Sequence, residues 1–178
     1  MADYRFTTGD VEESLSVMRE AAGWLINMGK MLWHPEELTR ERLTNAAEEF
    51  IVLWRCDESA GTMLLCFNDP LIWPEIPPGV SGFVHKLSVR RKYALDNARH
   101  FSESIPVSER LMTYAVEKCR ERGISELRLD CDAGRPKLCA VYERMGFVLE
   151  KVQQIQTKRL GTVDLAYYKL DIPFHGGL

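Results

Sequence analysis

The order of apolar patterns along this 178-residue chain predicts an α/β fold, a mixed sheet flanked by helices. Three observations carry that prediction. One long stripe of helical spacing opens the chain, short apolar runs broken by turn residues fill its middle, and two further amphipathic stretches each run into a strand.

Tyr4 to Thr8 predicts a first strand, after which Thr8-Gly-Asp10 supplies a turn and a helix cap. Val11, Leu15, Met18, Ala22 and Leu25 then recur at helical spacing, so a helix is expected from about Asp10 to about Met28, punctuated by Gly29. Trp33-His34-Pro35 opens a second, shorter helix, with Glu36 and Glu37 at the favourable end of its dipole. Phe50 to Arg55 and Thr62 to Phe67 read as a hairpin around Asp57 to Gly61. Asn68 to Gly79 carries four prolines and is expected to be loop.

Val80 to Val89 predicts a strand with Phe83, His85, Leu87 and Val89 on one face and Val84, Lys86 and Ser88 on the other. Arg90 to Glu103 is a long polar, basic loop. Leu111, Met112, Ala115, Val116 and Cys119 form the stripe of a long helix that stops at Gly123, and Leu127 to Cys131 is the next strand. Pro136 starts a helix bearing Leu138, Val141, Tyr142 and Met145, and Gly146 ends it. A last hairpin is expected from Phe147 to Lys158 and Thr162 to Ile172, around Leu160-Gly161. No repeat or internal boundary appears, so residues 1–178 are expected to form a single domain.

Composition narrows the function classes. With 46% apolar and 28% charged residues the chain is neither disordered nor fibrous. Its 23 Lys+Arg against 26 Asp+Glu, a net charge of -3, argues against a nucleic-acid partner, which calls for a basic surface. No run approaches the roughly 20 apolar residues of a membrane span, and Met1 to Asp10 lacks the order of a signal peptide, so no membrane partner and a cytoplasmic location are expected. Five cysteines, Cys56, Cys66, Cys119, Cys131 and Cys139, sit in apolar segments without a C-x-x-C pair. They read as buried free thiols, with no metal site expected.

The strand Gly82-Phe-Val-His-Lys-Leu-Ser-Val89, the loop and helix after it, Leu127-Arg-Leu-Asp-Cys131 and the closing Leu138-Cys-Ala-Val-Tyr-Glu-Arg-Met-Gly-Phe147 resemble the GCN5-related N-acetyltransferases (GNAT). In specific residues the resemblance runs mainly from Ser81 to Val148; in element order it covers the chain. Ala21-Ala-Gly-Trp24 and Trp33 look like the N-terminal part of one bacterial subgroup. The resemblance implies the acyl-CoA N-acyltransferase fold, with a mostly antiparallel central sheet. It also implies transfer of an acetyl group from acetyl-CoA to a primary amine of a small molecule, by direct attack in a ternary complex. A homodimer through the last strands is implied as well.

Such chemistry needs a neutral amine, hydrogen-bond donors for the thioester oxygen and a proton for the departing thiolate. In the family, the strand that here is Phe83 to Val89 splays from its neighbour and its backbone lines the pantetheine arm, which assigns Leu87, Ser88 and Val89 to the cosubstrate. Tyr142 matches the tyrosine that protonates the CoA sulfur; a packed helical tyrosine is the other reading. His85 lies where several members keep a base or a water-relaying group, and it equally fits a histidine satisfied by the core. Trp33 and His34 belong to a connection that overhangs the acceptor pocket, where they contact substrate or simply anchor the loop.

Three departures from the family pattern surround the cosubstrate. The glycines of the pyrophosphate turn fall on Pro106 and Ser108, and its Gln/Arg falls on Glu103. Pro106 has no N–H, leaving Val107, Ser108, Glu109 and Arg110 to offer theirs. The preceding loop brings Arg90, Arg91, Lys92, Arg99 and His100, which either replace the lost phosphate contacts or are a solvated charged surface. Arg135 stands where an asparagine often holds the pantetheine arm, within reach of a CoA phosphate or of solvent. The competing function is therefore a degenerate member that binds CoA or another ligand, or serves as an interaction module, without significant turnover.

Overall fold

The computed structural model describes residues 3–30, 33–44, 49–94, 105–157 and 161–173. In chain order these form β1 (Tyr4–Thr8), α1 (Val11–Asn27), a 3-10 turn (Pro35–Glu37), α2 (Arg40–Thr44), β2 (Glu49–Arg55), β3 (Glu58–Cys66) and β4 (Gly82–Val89). A second 3-10 turn (Arg91–Tyr93), α3 (Val107–Glu121), β5 (Glu126–Asp132), α4 (Pro136–Arg144), β6 (Val148–Thr157) and β7 (Gly161–Asp171) follow. The strands make one seven-stranded sheet in the order β1-β2-β3-β4-β5-β7-β6. β4 and β5 are parallel; β1 with β2, β2 with β3, β5 with β7 and β6 with β7 are antiparallel. This is the mixed α/β class that the sequence predicts. None of the described helices is long and apolar enough to cross a membrane.

Two compact units divide the chain: Met1–Cys66 with His85–Tyr114, and Phe67–Val84 with Ala115–Leu178. In the first, the α1 stripe does what its spacing predicts. Val11, Leu15, Met18 and Ala22 are buried in one cluster with Leu38, Leu43, Phe50 and Leu64. Asp10 caps the helix by accepting from the Glu13 N–H. Thr62, buried on β3 between those elements, donates to the Ile51 carbonyl and meets the Ser14 hydroxyl, which satisfies both buried hydroxyl groups.

Four details of this unit differ from the sequence expectations. The hairpin turn is only Cys56-Asp57, since Arg55 already pairs with Glu58, and Ser59 to Gly61 extend the strand instead of looping. Cys56, in the left-handed region at φ +52, is exposed at that turn, not buried. The expected second helix breaks into a 3-10 turn and α2, because the Leu38 carbonyl between them accepts Nε and Nη2 of Arg19 and is lost to a helical ladder. The alternation of β4 also fails. Lys86 takes φ +54 in mid-strand, which shifts the side-chain period; beyond it Ser88 is buried while Leu87 and Val89 are only half-buried. Of the long basic loop, residues 95–104 lie outside the described residues, as do 158–160 in the last hairpin.

In the second unit the proline-rich stretch from Asn68 to Gly79 is irregular, as its composition predicts, yet it delivers Trp73 wholly into the core. Its ring meets Tyr167 edge-on, with centroids 4.8 Å apart, and lies 6.1 Å from Phe83. Arg128 of β5 is buried beneath it and fully committed: Nε donates to Ser81, Nη2 to Glu126 at 2.9 Å and Nη1 to Glu150 at 2.5 Å. Partial burial by itself would raise the Glu126 carboxyl. The Ser81 hydroxyl and the Arg128 guanidinium outweigh it and hold the group below its ordinary value.

Where β4 begins, Gly82 lets α3 close on the sheet. A Cβ there would stand 2.5 Å from Cys119 Sγ and 3.2 Å from Leu127 Cδ1. Gly82→Ala is expected to lower the unfolding free energy by about 2 kcal/mol, the usual scale of an overpacked core. A Cys119→Ala change should recover part of that loss in the double variant. Strict additivity of the two changes in denaturant titrations would refute the contact. Because the Glu126 carboxyl is depressed in the folded state, its stabilisation is complete above the unfolded value of about 4.3 and disappears as pH falls through the lower folded value. Glu126→Gln should therefore be destabilising at neutral pH and nearly neutral in strong acid; an equal penalty at both ends contradicts the assignment.

Candidate active site

In the second unit the site is built around α4. Pro136 starts the helix without sacrificing an internal hydrogen bond, and Arg135, half-buried, is the residue at its cap. Leu138 and Cys139 lie on one turn and Tyr142 on the next. Gly146 reverses the chain at φ +92, which lets the Phe147 N–H bond the Tyr142 carbonyl at 3.1 Å and swings the Phe147 ring to 6.1 Å from that of Tyr142. That geometry explains why a tyrosine, a glycine and a phenylalanine belong together here. Tyr142 is 6% exposed and also borders the Tyr168 ring at 6.2 Å.

Burial, and secondarily the Cys131 thiol nearby, push the Tyr142 phenol well above the usual tyrosine range. The hydroxyl therefore stays protonated at any working pH. Chemically this is a proton donor and hydrogen-bond donor, never a base. Cys131 of β5 and Cys139 of α4 stand with their sulfurs 3.8 Å apart in the same unit. The Tyr168 hydroxyl donates to Glu143 at 3.0 Å. Sequence reasoning missed Cys139 and Tyr168 as neighbours of Tyr142. The i, i+3 spacing of Cys139 and Tyr142 on one helix was the available signal.

The remaining sequence-predicted residues belong to the first unit. His85 is half-buried on β4 immediately before the left-handed Lys86, and Leu87, Ser88 and Val89 follow it. The Ser88 hydroxyl donates to the carbonyl of Lys86 at 3.0 Å, so that strand satisfies it internally. Lys86 places its ammonium 4.8 Å above the Trp33 ring, and Trp33 packs on the α1 cluster; these contacts support the anchoring reading of Trp33. His34 caps the first 3-10 turn through its carbonyl, its Nδ1 is buried without a hydrogen-bond partner among the described residues, and Glu36 lies 3.6 Å from that nitrogen.

At the start of α3, the Arg110 N–H already bonds the Pro106 carbonyl at 3.1 Å. The expectation of four free N–H groups is thus reduced, among the described residues, to those of Val107, Ser108 and Glu109, which precede the first helical bond. The Arg110 side chain folds back over the Tyr4 ring at 4.1 Å and bonds the Ile105 carbonyl.

The cations that might have replaced lost phosphate contacts are largely spent. Arg90 donates to Glu20 at 2.6 Å, to Glu13 at 2.8 Å and to Ser59, and its side chain is 17% exposed. Arg91 lies 3.7 Å above the Trp24 ring, and Lys92 pairs with Glu58. Arg90, Arg91 and Lys92 line an open cavity of 540 Å³ with Glu13, Glu20 and Glu58, whose carboxylates answer the cations. Arg90 to Lys92 are thus satisfied within the chain, with Arg90 enclosed instead of solvated; Arg99, His100 and Glu103 lie outside the described residues.

Residues 107–147 match the family model described as Acetyltransferase (GNAT) family, which covers α3, β5 and α4. The chain is similar in structure to the ribosomal-protein-S18-alanine N-acetyltransferase of Escherichia coli, with 14% identity and a TM-score of 0.66 over 98% of this chain and 97% of that one. It is also similar to a GNAT-family acetyltransferase of Listeria monocytogenes, with 19% identity and a TM-score of 0.65 over 96% and 94%. A third neighbour is yncA of Salmonella typhimurium, described as an acetyltransferase and solved with its cofactor acetyl-CoA, with 10% identity and a TM-score of 0.63 over 98% and 96%. No curated protein matches the sequence. At these identities the solved structures establish the fold.

If Arg90 is structural, Arg90→Ala should cost about 2 kcal/mol in unfolding free energy, since it strands two carboxylates and loses charge-assisted hydrogen bonds. Chemical denaturation measures that loss. A variant of unchanged stability would show instead that the pairs are dispensable and the cation is free for another role.

Proposed function

We propose that this GNAT-fold chain, which matches the family model through α3, β5 and α4, is an N-acetyltransferase that moves the acetyl group of acetyl-CoA to a primary amine of a small molecule. The observation that carries the reading is the arrangement at the end of the matched segment: a buried phenol held protonated, fixed by the Gly146-Phe147 turn.

In this reading the neutral amine attacks the thioester carbonyl carbon, the C–N bond forms, the C–S bond breaks and one proton passes in net terms from nitrogen to sulfur. Tyr142 supplies the proton, or the hydrogen bond, that lets the thiolate leave. The N–H groups of Val107, Ser108 and Glu109 suit the diphosphate of CoA, because they lie outside the helical ladder at the positive end of α3. Glu109 opposes that role in charge, and Arg135 at the cap of α4 is a further candidate contact of the cosubstrate. The backbone of Leu87, Ser88 and Val89, past the left-handed Lys86, serves the pantetheine arm. His85 is the candidate base, and Trp33 and His34 are the candidate acceptor contacts.

A second reading, CoA binding without useful turnover, draws on the commitment of Arg90, Arg91 and Lys92 to partners inside the first unit. The E. coli neighbour is named for a protein alanine, so a protein N-terminus is a competing acceptor.

Calorimetric titration with acetyl-CoA, followed by thiol release against a panel of small amines and N-terminal peptides, separates these readings. Micromolar binding with thiol release on small amines is the expected result; binding alone supports the second reading, and no binding removes both. Tyr142→Phe should reduce turnover about 100-fold, the low end for a general acid, with acetyl-CoA affinity nearly unchanged. Since burial raises the phenol, no loss of activity attributable to Tyr142 should appear below pH of about 10.

A further inference from the structure

Among the features that the acetyl-transfer reading leaves unused, the Cys131–Cys139 pair stands out. The two sulfurs are 3.8 Å apart, one on β5 and the other on α4, and the short connection between them keeps the pairing local. Their environments differ in the way an oxidisable pair requires. Cys131 is 7% exposed, whereas Cys139 is half-buried and accessible to a small solute. The other thiols lack such a neighbour among the described contacts: Cys66 and Cys119 are buried, and Cys56 is alone at its exposed turn.

We propose that Cys131 and Cys139 are a modification site, an intramolecular dithiol that a hydroperoxide converts into a disulfide. The reaction begins at Cys139. Its sulfur attacks a peroxide oxygen, the O–O bond breaks, and Cys139 becomes a sulfenic acid with release of water from hydrogen peroxide. Cys131 then attacks the Cys139 sulfur, the S–S bond forms, the S–O bond breaks and the hydroxide leaves with the Cys131 proton as a second water. Two thiols and one hydrogen peroxide thus give one disulfide and two waters. The sulfurs must approach from 3.8 Å to a bonded separation of about 2.05 Å.

The placement of Cys131 fits this order. Burial, and then the Cys139 thiol, raise the Cys131 thiol above the ordinary cysteine range, which slows its own attack on peroxide, and its part as the resolving thiol rests on the 3.8 Å that separates it from Cys139. The inference concerns the thiols alone and stands whether or not Tyr142 serves as an acid.

The test uses the full chain with Cys56→Ser, which removes the exposed thiol that would link two molecules. Hydrogen peroxide at a level that oxidises a free cysteine peptide should lower the thiols titratable in denaturant from four to two, the five of the native sequence less Cys56 giving four. Peptide mapping should find the Cys131 and Cys139 peptides joined, with the loss of two hydrogens, and dithiothreitol should restore both. In the additional Cys131→Ser variant, Cys139 should stop at a sulfenic acid that dimedone traps; in Cys139→Ser, Cys131 should stay reduced. The proposal falls if Cys139 proceeds to sulfinic acid with Cys131 intact, if the recovered cross-link joins other cysteines, or if neither thiol reacts.

Discussion

A single residue in the left-handed region governs how β4 presents itself. Lys86, at φ +54, interrupts a strand whose pairing with β5 runs through Gly82, Phe83 and Val84. For a side chain other than glycine such a backbone costs roughly 1–2 kcal/mol. The ammonium over Trp33 returns about 0.5–1 kcal/mol, which offsets part of that strain. Beyond the interruption Ser88 turns inward, and the chain leaves β4 with the Arg90 N–H on the Ala60 carbonyl, which aims the guanidinium at Glu13 and Glu20 of α1. Half the polar organisation of the first unit therefore follows from one shifted period.

Both units solve the problem of an inward arginine by the same physics. Arg90 and Arg128 are each too enclosed to keep their hydration, and each is compensated by two carboxylates and a serine hydroxyl. Charge committed in this way is not available to a ligand. The near-neutral total of the chain reflects local pairing, and a basic run in sequence need not be a basic surface.

Around Tyr142 the controlling variable is desolvation. Burial makes the phenol a lasting proton holder and the Cys131 thiol a reluctant nucleophile. Cys139, half-buried, shares α4 with Tyr142 and meets Cys131 of β5. One desolvated neighbourhood thus holds a protonated phenol and two adjacent thiols.

The order of the elements, the core face of α1, the loop character of Asn68 to Gly79 and the tyrosine-glycine-phenylalanine turn were all legible in the sequence. Each depends on local spacing: 3.6-residue periodicity, proline's missing donor, and glycine's access to positive φ at position 146. The shortened hairpin, the break at Leu38, the inverted face of β4 and the burial of Arg90 were not legible. They arise from contacts between residues far apart in the chain, such as Arg19 with Leu38 or Arg90 with Glu13, that no local pattern encodes. Sequence by itself determined the fold class and the glycine turn that follows Tyr142. Only the tertiary structure decided which charges are spent and which two of five thiols meet, because pairing and desolvation are properties of neighbours in space.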